Sequence, residues 1–391
     1  MLKFAIKNMA VKKGKLLLVT LSILLSATVA LVAFNVSAQV REGIVSTAGY
    51  YDILIGPSGS ATQLAMNTMF FTDAPLGTIP YDYVTELEDN PNVNAVVPVA
   101  MGDSFNASKI VGTTPKFLEG KRLREGTMFE HVYEAVVGAA VADRYGLSIG
   151  DPIVTSHGIA AGGHQHDSTP LTLVGILETS HTAFDNAVFT SIETTWAVHG
   201  IGGHDHAEDD QDHAEGEVCA ILLRTKDFSA YYAITEYYAQ DASLLVINPT
   251  TVLREVLENV DLSARIVYLL SAIILAMNIL VIVVITLLNL YDARREITLM
   301  RLIGIGMNRI TLLYTIQNAI TGLVATLLAL GASVVCLRIM QNYVSSMGIV
   351  LESARIYPMQ WAILGAVFGI SILPTIICAG WMARKDSLGG E

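Results

Sequence analysis

Four long apolar runs stand out along this chain of 391 residues. A helix needs about 20 residues to cross a hydrocarbon core of about 30 Å. The four runs are residues 16–34, 266–290, 312–337 and 361–381, and none contains Asp, Glu, Lys or Arg. A single segment satisfies its own backbone polar groups in lipid only as a helix. The pattern therefore predicts a membrane protein with four transmembrane α-helices.

The 231 residues between the first two runs, 35–265, have a mixed pattern. Short apolar or β-branched runs flanked by turn residues predict strands at 50–55, 95–100, 152–155, 171–177 and 220–224. Helical spacing predicts helices at 81–89, 135–145 and 228–238. A segment of this size buries its own core. We therefore expect a large α+β extracytoplasmic domain, of two lobes, inserted between helices 1 and 2.

Both ends of this domain continue the adjacent helical pattern. Residues 35–45 prolong the first helix, and in residues 250–265 Val252, Leu253, Val256, Leu257 and Val260 recur at helical spacing. A helix without a breaker does not bend easily at a membrane surface. These segments predict two stalk helices above the bilayer. A tight linker followed by a surface helix is the alternative.

The charge distribution separates the aqueous part from the membrane part. Hydrophobic residues make up 52% of the chain and charged residues 15%, with a net charge of −12. Residues 35–265 hold 31 of the 36 acidic and 11 of the 24 basic side chains, which gives a local net charge of −20. This acidic insert repels a phosphate backbone, so we expect no nucleic acid partner. Of the three cysteines only Cys219 lies in the insert, so no intramolecular disulfide is expected there.

Basic residues near the helix ends predict the orientation. The N-terminus (1–15), the loop 291–311 and the tail 382–391 are basic and fall on one side, which is cytoplasmic. The loop 338–360 falls outside with the insert. Both termini are therefore expected in the cytoplasm. As an alternative, residues 1–38 resemble a cleaved signal peptide, but 19 apolar residues exceed the usual 7–15.

Histidines concentrate in one acidic, glycine-rich segment of the insert: eight of the nine lie in residues 157–213. Imidazole suits Zn, Cu and Ni, and nearby carboxylates complete or orient such a shell. The candidate metal ligands are His157, His164, His166, His199, His204, His206 and His213. They predict a site for zinc or another transition metal on open loops. The alternative is a solvated acidic loop whose histidines titrate without a ligand.

Sequence motifs for catalysis are missing. Gly14-Lys15 is followed by Leu16 and Gly120-Lys121 by Arg122, so neither is a nucleotide-binding P-loop. No His-Glu-x-x-His occurs, and no charge lies in the apolar runs to relay ions. We therefore expect a protein that is not an enzyme, with any energy supplied by another chain.

The loop 291–311 supplies a candidate docking surface. Ile297, Met300 and Arg301 lie at i, i+3 and i+4, so a short helix would present an apolar and basic face. Gly304 and Gly306 allow the chain to turn into the next helix. A plain basic loop that only sets the topology is the alternative.

Two segments resemble a known family. The run Arg295-Glu296-Ile297-x-x-x-Arg301-x-x-Gly304 resembles the Arg-Glu-Ile-Gly-x-x-Arg-Ala-x-Gly segment of MacB/FtsX-like ABC transporter permeases, with Thr298 and Leu302 replacing Gly and Ala. Residues 136–151, ending Gly146-Leu147-Ser148-Ile149-Gly150-Asp151, are similar to the Leu-Gly-Leu-x-x-Gly-Asp segment of the same family. The histidine-rich segment has no counterpart in the family pattern.

The resemblance implies a homodimeric permease of the bacterial inner membrane, paired with a separate cytoplasmic ATPase and contacting membrane lipid. The ATPase-coupling residues by position are Arg295, Glu296, Ile297, Met300, Arg301 and Gly304. Such permeases transmit ATP-driven movement to the outer domain. Three functions stay open: efflux or extraction of a substrate, metal handling with a periplasmic metal-binding or adaptor protein, and FtsX-like regulation of an outer enzyme without transport.

Overall fold

The computed structural model describes residue 9 and residues 13–48, 50–157, 170–198, 216–292, 294–345 and 351–388. It divides into two compact units. The helical unit comprises Met1–Ala38, Asp261–Met340 and Ser353–Glu391, and the sheet unit comprises Gln39–Val260 and Gln341–Glu352.

The sheet unit contains the strands and the short helices between them, and the helical unit contains most of the long helices. The helices in the described ranges are α1 (Lys13–Ala48), α2 (Ala61–Phe70), α3 (Asp82–Glu88), α4 (Ala139–Tyr145), α5 (Ile192–Val198), α6 (Phe228–Tyr238), α7 (Pro249–Asp292), α8 (Arg294–Leu302), α9 (Met307–Ser345) and α10 (Pro358–Leu388). The strands are β1 (Ile53–Pro57), β2 (Ile79–Pro80), β3 (Val93–Phe105), β4 (Ser108–Thr113), β5 (Leu123–Gly126), β6 (Glu134–Val137), β7 (Pro152–Ile153), β8 (Ser156–His157), β9 (Leu171–Leu177), β10 (Val188–Ser191), β11 (Glu217–Val218), β12 (Ala220–Thr225) and β13 (Leu244–Ile247).

Three helical stretches of the described residues are long and apolar enough to cross a membrane. They are Leu16–Val45 in α1, Pro249–Val281 in α7 and Arg309–Gln341 in α9, and they overlap the first three predicted spans. Within α10, Pro358–Leu373 is a shorter apolar stretch. The count of four spans therefore stays a prediction.

Small residues allow the helices of the helical unit to pack closely. Ala27 of α1 and Ala325 and Ala329 of α9 are fully buried in one cluster that also contains Val367 of α10. A Cβ atom added at Gly322 of α9 would lie 2.1 Å from Ser371 Oγ of α10. Close approach at small residues is how helices associate in lipid, where the hydrophobic effect contributes little.

One mixed sheet organises the sheet unit. Nine strands follow the order β13-β1-β12-β3-β4-β10-β6-β9-β5, while β7 pairs with β9 and β8 with β3. Helices α3 and α6 cover one half and share a core cluster, and α4 covers the other half with a second cluster. The pairing of β3 with β4 joins the halves. The two predicted lobes of the α+β domain thus share a single sheet.

The predicted helix over residues 135–145 is wrong at its start. Glu134–Val137 form β6, which pairs with β9 and β10, and only Ala139–Tyr145 are helical. Gly138 separates the two elements, and a Cβ atom there would lie 2.2 Å from Phe184 O. The buried β-branched pair Val136 and Val137 favours the strand over the helix. In contrast, the predicted strand 171–177 and helix 228–238 are confirmed with the same bounds.

Candidate functional site

The short helix α8 lies in the segment that was predicted to dock a partner. In its last turn and just after its end, Leu299, Leu302 and Ile303 are 59%, 78% and 79% exposed. Their i, i+3, i+4 spacing places them on one face. We call these three residues the apolar ridge. A contiguous exposed apolar surface is typical of a site that binds another protein or a membrane.

Gly304 terminates α8 with a defined geometry. Its backbone φ is +88°, in the left-handed region that favours glycine. The Gly304 N–H donates to Arg301 O, and the Ile305 N–H donates to Met300 O, both at 2.9 Å. These two bonds form a Schellman motif, which satisfies the last carbonyls of a helix. Gly304 therefore fixes the direction in which the chain leaves the apolar ridge and enters α9.

The structure describes only part of the face that was predicted for α8. Met300 is half-buried and Arg301 is exposed, while the exposed apolar surface consists of the apolar ridge. The side chains of Arg295, Glu296 and Ile297 lie outside the described part of the structure. The coupling role of the six motif residues therefore stays a prediction.

Most of the candidate metal ligands lie outside the described residues. These are His164, His166, His199, His204, His206 and His213. His157 ends β8, where its backbone pairs with Asp103 of β3, and its side chain is outside the description. Among the described residues, no group of three or more His, Cys, Asp or Glu is arranged to hold a metal ion. Metal binding stays a prediction.

The sheet-unit ends of α1 and α7 are anchored in its largest core cluster. Ile44 of α1 is 4% exposed and Leu253 of α7 is 1% exposed, and both pack with residues of the sheet. The start of α7 is capped, since the Thr251 N–H donates to Asn248 Oδ1 at 3.1 Å. The predicted apolar face of α7 is therefore buried against the domain core at Val252 and Leu253, and half-buried at Val256 and Leu257.

Buried amides on α1 hold the chain that precedes α10. Gln39 is 5% exposed, and within the sheet unit its Nε2 donates to Glu352 O at 3.1 Å while its Oε1 accepts from the Glu352 N–H at 2.7 Å. Within the helical unit, Asn35 Nδ2 donates to Arg355 O at 2.9 Å. Sequence reasoning missed these contacts. Two amides four residues apart in an apolar helix are the signal that could have found them.

Two family models together cover most of the chain. The MacB-like periplasmic core domain matches residues 16–236, which is more than half of the chain. The FtsX-like permease C-terminal model matches residues 268–387. The chain belongs to the MacB/FtsX-like permease family.

Solved structures of extracytoplasmic regions are also similar to this MacB/FtsX-like chain. The periplasmic region of MacB from Actinobacillus actinomycetemcomitans is 11% identical, with a TM-score of 0.38 over 54% of this chain and 95% of that one. The extracellular domain of the noncanonic ABC-type transporter YknZ from Gram-positive bacteria is 11% identical, with a TM-score of 0.32 over 50% of this chain and 99% of that one. No individually curated protein matches the sequence.

Membership of the MacB/FtsX-like family defines the general activity. These proteins are membrane permeases of the ABC transporter type, with an extracytoplasmic domain, and they work with a cytoplasmic ATPase. Their permease domains are not ATPases themselves, in agreement with the missing P-loop.

The segment 136–151, which resembles the MacB/FtsX-like family, forms a structural corner at its end. Gly146 and Gly150 have φ values of +65° and +94°. Asp151 Oδ2 accepts from the Ser148 N–H at 2.8 Å, and the Gly150 N–H donates to Leu173 O of β9 at 2.8 Å. These contacts connect α4 to the sheet. The segment therefore stabilises the fold and shows no arrangement for a ligand.

Proposed function

We propose that this chain is a permease subunit that transmits ATP-driven conformational change from a separate cytoplasmic ATPase to its extracytoplasmic domain. The outer domain then expels or extracts a substrate that is already outside the cytoplasm. The observation that carries this proposal is the apolar ridge at the glycine-terminated end of α8.

The apolar ridge has the chemistry of a protein docking surface. Leu302 and Ile303 are nearly four-fifths exposed beside the exposed cation of Arg301. Burying such side chains stabilises a complex by about 25 cal/mol per Å² of apolar surface. The Schellman motif at Gly304 holds the ridge in one geometry, so less conformational entropy is lost on binding.

The anchoring of α1 and α7 supports a mechanical route to the outer domain. Ile44, Val252 and Leu253 are part of the close-packed core cluster of the sheet unit. Because protein interiors are dense and poorly compressible, a displacement of these helix ends moves the packed core residues. Each of the two helices also includes residues assigned to the helical unit.

The composition of the predicted spans argues against conduction through the helices. None of the four apolar runs contains a charged residue. Ion and proton pathways through membranes generally use ionisable side chains. A substrate that is moved by the outer domain requires no such pathway.

The complete arrangement forms part of the same proposal. It has four spans, cytoplasmic N- and C-termini, two copies of the chain in the bacterial inner membrane, and the domain boundaries given by the sequence. A periplasmic adaptor or metal-binding protein would be a further partner, and the histidine-rich segment would link the function to zinc or another transition metal.

The double variant Leu302→Asp/Ile303→Asp tests the docking role. Desolvating two added carboxylates at the interface should weaken association with the ATPase by about 100-fold. The measurement is co-purification of the ATPase from native membranes, together with its nucleotide hydrolysis in nanodiscs. Phe228→Asp is the control, because Phe228 is 73% exposed on α6 and belongs to the sheet unit.

Retention of the ATPase by the double variant would remove the observation on which the proposal stands. Solute flux through the chain alone, without nucleotide, would contradict mechanical transmission. Intact ATPase association with activation of a cell-wall hydrolase, and no cargo movement, would favour the FtsX-like regulator instead.

A further inference from the structure

A cavity of about 250 Å³ lies in the sheet unit. It is lined by Tyr50, Tyr51, Met69, Phe117, Glu119, Gly120, Lys121 and Phe184. An apolar cavity of about 150 Å³ is enough to bind benzene. The cavity therefore has room for a ring with a short polar extension.

One side of the cavity is a fixed apolar wall. Met69, Phe117 and Phe184 are 2%, 5% and 7% exposed. The ring centroids of Phe117 and Phe184 are 5.1 Å apart, and both rings belong to the largest core cluster. Aromatic contacts at this distance stabilise one another, so the wall exists before any ligand arrives.

Tyr51 contributes a hydrogen-bond donor without a partner. Its side chain is 6% exposed, and its hydroxyl is buried and has no hydrogen-bond partner among the described residues. Burial raises the pKa of Tyr51, so the hydroxyl keeps its proton. Leaving a buried polar group unpaired is unfavourable, and a ligand acceptor would remove that penalty. The neighbouring Tyr50 differs, because its hydroxyl donates to Glu119 Oε2 at 2.8 Å.

Lys121 contributes a second donor and a positive charge. Its Nζ lies 4.5 Å from the centroid of the Phe184 ring, and the ion pairs formed among the described residues do not include it. Burial lowers the pKa of Lys121, which the nearby Asp185 opposes. Asp185 itself is engaged, accepting from the Ser180 N–H and hydroxyl and from the His181 N–H. The Lys121 ammonium is therefore available to a ligand.

We propose that this cavity binds a small organic acid. Its aromatic or branched body would pack on Met69, Phe117 and Phe184, and its carboxylate would accept hydrogen bonds from the Tyr51 hydroxyl and the Lys121 ammonium. This ligand site does not depend on the docking role of α8.

Calorimetric titration of the full chain in nanodiscs with 3-phenylpropionate tests the proposal. We expect saturable binding that is about tenfold tighter than for the neutral 3-phenylpropanamide, because the charged acceptor forms the stronger hydrogen bond. Lys121→Met should remove that preference, and Tyr51→Phe should weaken binding of the acid about fivefold. The matched controls are Lys116→Met and Tyr237→Phe, whose parent side chains are exposed in the same unit.

Three outcomes would overturn the proposal. One is a lack of saturable binding up to about 10 mM, which is weak even for a ligand of this size. A second is tighter binding of 3-phenylpropylamine, which would make Glu119 the dominant charge. The third is full binding by folded Lys121→Met and Tyr51→Phe chains, which would place the acid elsewhere. Binding that survives in Leu302→Asp/Ile303→Asp separates this result from that of the docking proposal.

Discussion

The two segments that resemble the family differ in what surrounds them. In residues 136–151, Val136, Val137 and Val141 are fully buried and the following turn is hydrogen-bonded to the sheet. At the end of α8, Leu302 and Ile303 are 78% and 79% exposed. The fold alone accounts for the residue types in the first segment. In the second segment, exposed apolar residues do not pack in a core of the described fold, which is typical of a surface that binds a partner.

In both segments, nevertheless, a glycine in the left-handed backbone conformation ends the helix. Gly146 after α4 and Gly304 after α8 have φ values of +65° and +88°. A Cβ atom at either position would meet nothing within 4 Å among the described residues. The difference therefore lies in side-chain packing and not in backbone geometry. Substitutions in the two segments should separate loss of folding from loss of a partner.

The largest effect is expected from Gly138→Val in the buried segment. A Cβ atom there would lie 2.2 Å from Phe184 O and 2.4 Å from Asp185 O, and backbone atoms cannot move away cheaply. We expect a loss of about 4 kcal/mol or more in the free energy of unfolding. Thermal unfolding of the purified full chain measures it. Gly306→Val, where nothing lies within 4 Å, should cost less than about 1 kcal/mol. Similar losses in the free energy of unfolding for both variants would contradict the conclusion that side-chain packing distinguishes the buried segment from the exposed one.

How much of the fold the sequence predicts depends on the range of the deciding contacts. Helix α6 follows from local spacing, and it begins where Asp227 Oδ1 accepts from the Ala230 N–H at 2.9 Å. The strand β10 was missed, since four residues stabilised by parallel pairing with β4 give little local signal. Likewise, Gln39 and Glu352 are 313 residues apart, and no periodicity predicts their contact.

The candidate coupling site shows the same limit. The sequence predicted a short helix in this loop and the glycine that ends it, because a glycine after a helix is a local signal. Of the predicted face, Arg301 is exposed, Met300 is half-buried and the side chain of Ile297 lies outside the described residues, so this face stays a prediction. The exposure of Leu299, Leu302 and Ile303 was not predicted, since exposure depends on how the chain packs around α8. Leu299, Leu302 and Ile303 satisfy the helical period as well as Ile297 and Met300 do.

A smaller loss of stability is expected from Asp151→Ala in the corner of the first segment. The variant removes the acceptor of the Ser148 N–H, which lies 2.8 Å from Asp151 Oδ2. We expect the free energy of unfolding to fall by about 1 kcal/mol. Asp143→Ala is the comparison, because its ion pair with Arg124 is exposed and should contribute about 0.5 kcal/mol or less. An equal effect of the two substitutions would mean that the corner adds nothing beyond a surface charge.

Gly304→Ala should weaken association with the ATPase more than it lowers the stability of the fold. A left-handed residue with a side chain costs about 1 kcal/mol, which corresponds to about fivefold weaker ATPase association if the end of α8 loosens. Gly304→Asn should recover part of the affinity, because Asn tolerates this conformation. Gly146→Ala serves as the converse control: it should lower the unfolding midpoint and leave ATPase affinity unchanged. A lower midpoint with unchanged affinity for Gly304→Ala would reverse the assignment of the two glycines.

The histidine-rich segment belongs to neither of these two segments. Substitutions in it should have the smallest effect on the stability of the fold. The imidazoles of this glycine-rich segment should bind Zn²⁺ at roughly micromolar concentrations. Equilibrium dialysis of the full chain measures this binding. Replacing the seven candidate ligands from His157 to His213 by Ala should abolish binding and leave the unfolding midpoint unchanged. Replacing His131 and His181, the two histidines outside that set, should leave zinc binding intact. Absence of zinc binding below tens of micromolar would favour the solvated acidic loop and would contradict the proposed link to a metal. The docking proposal would be unaffected, because no step at α8 involves these histidines.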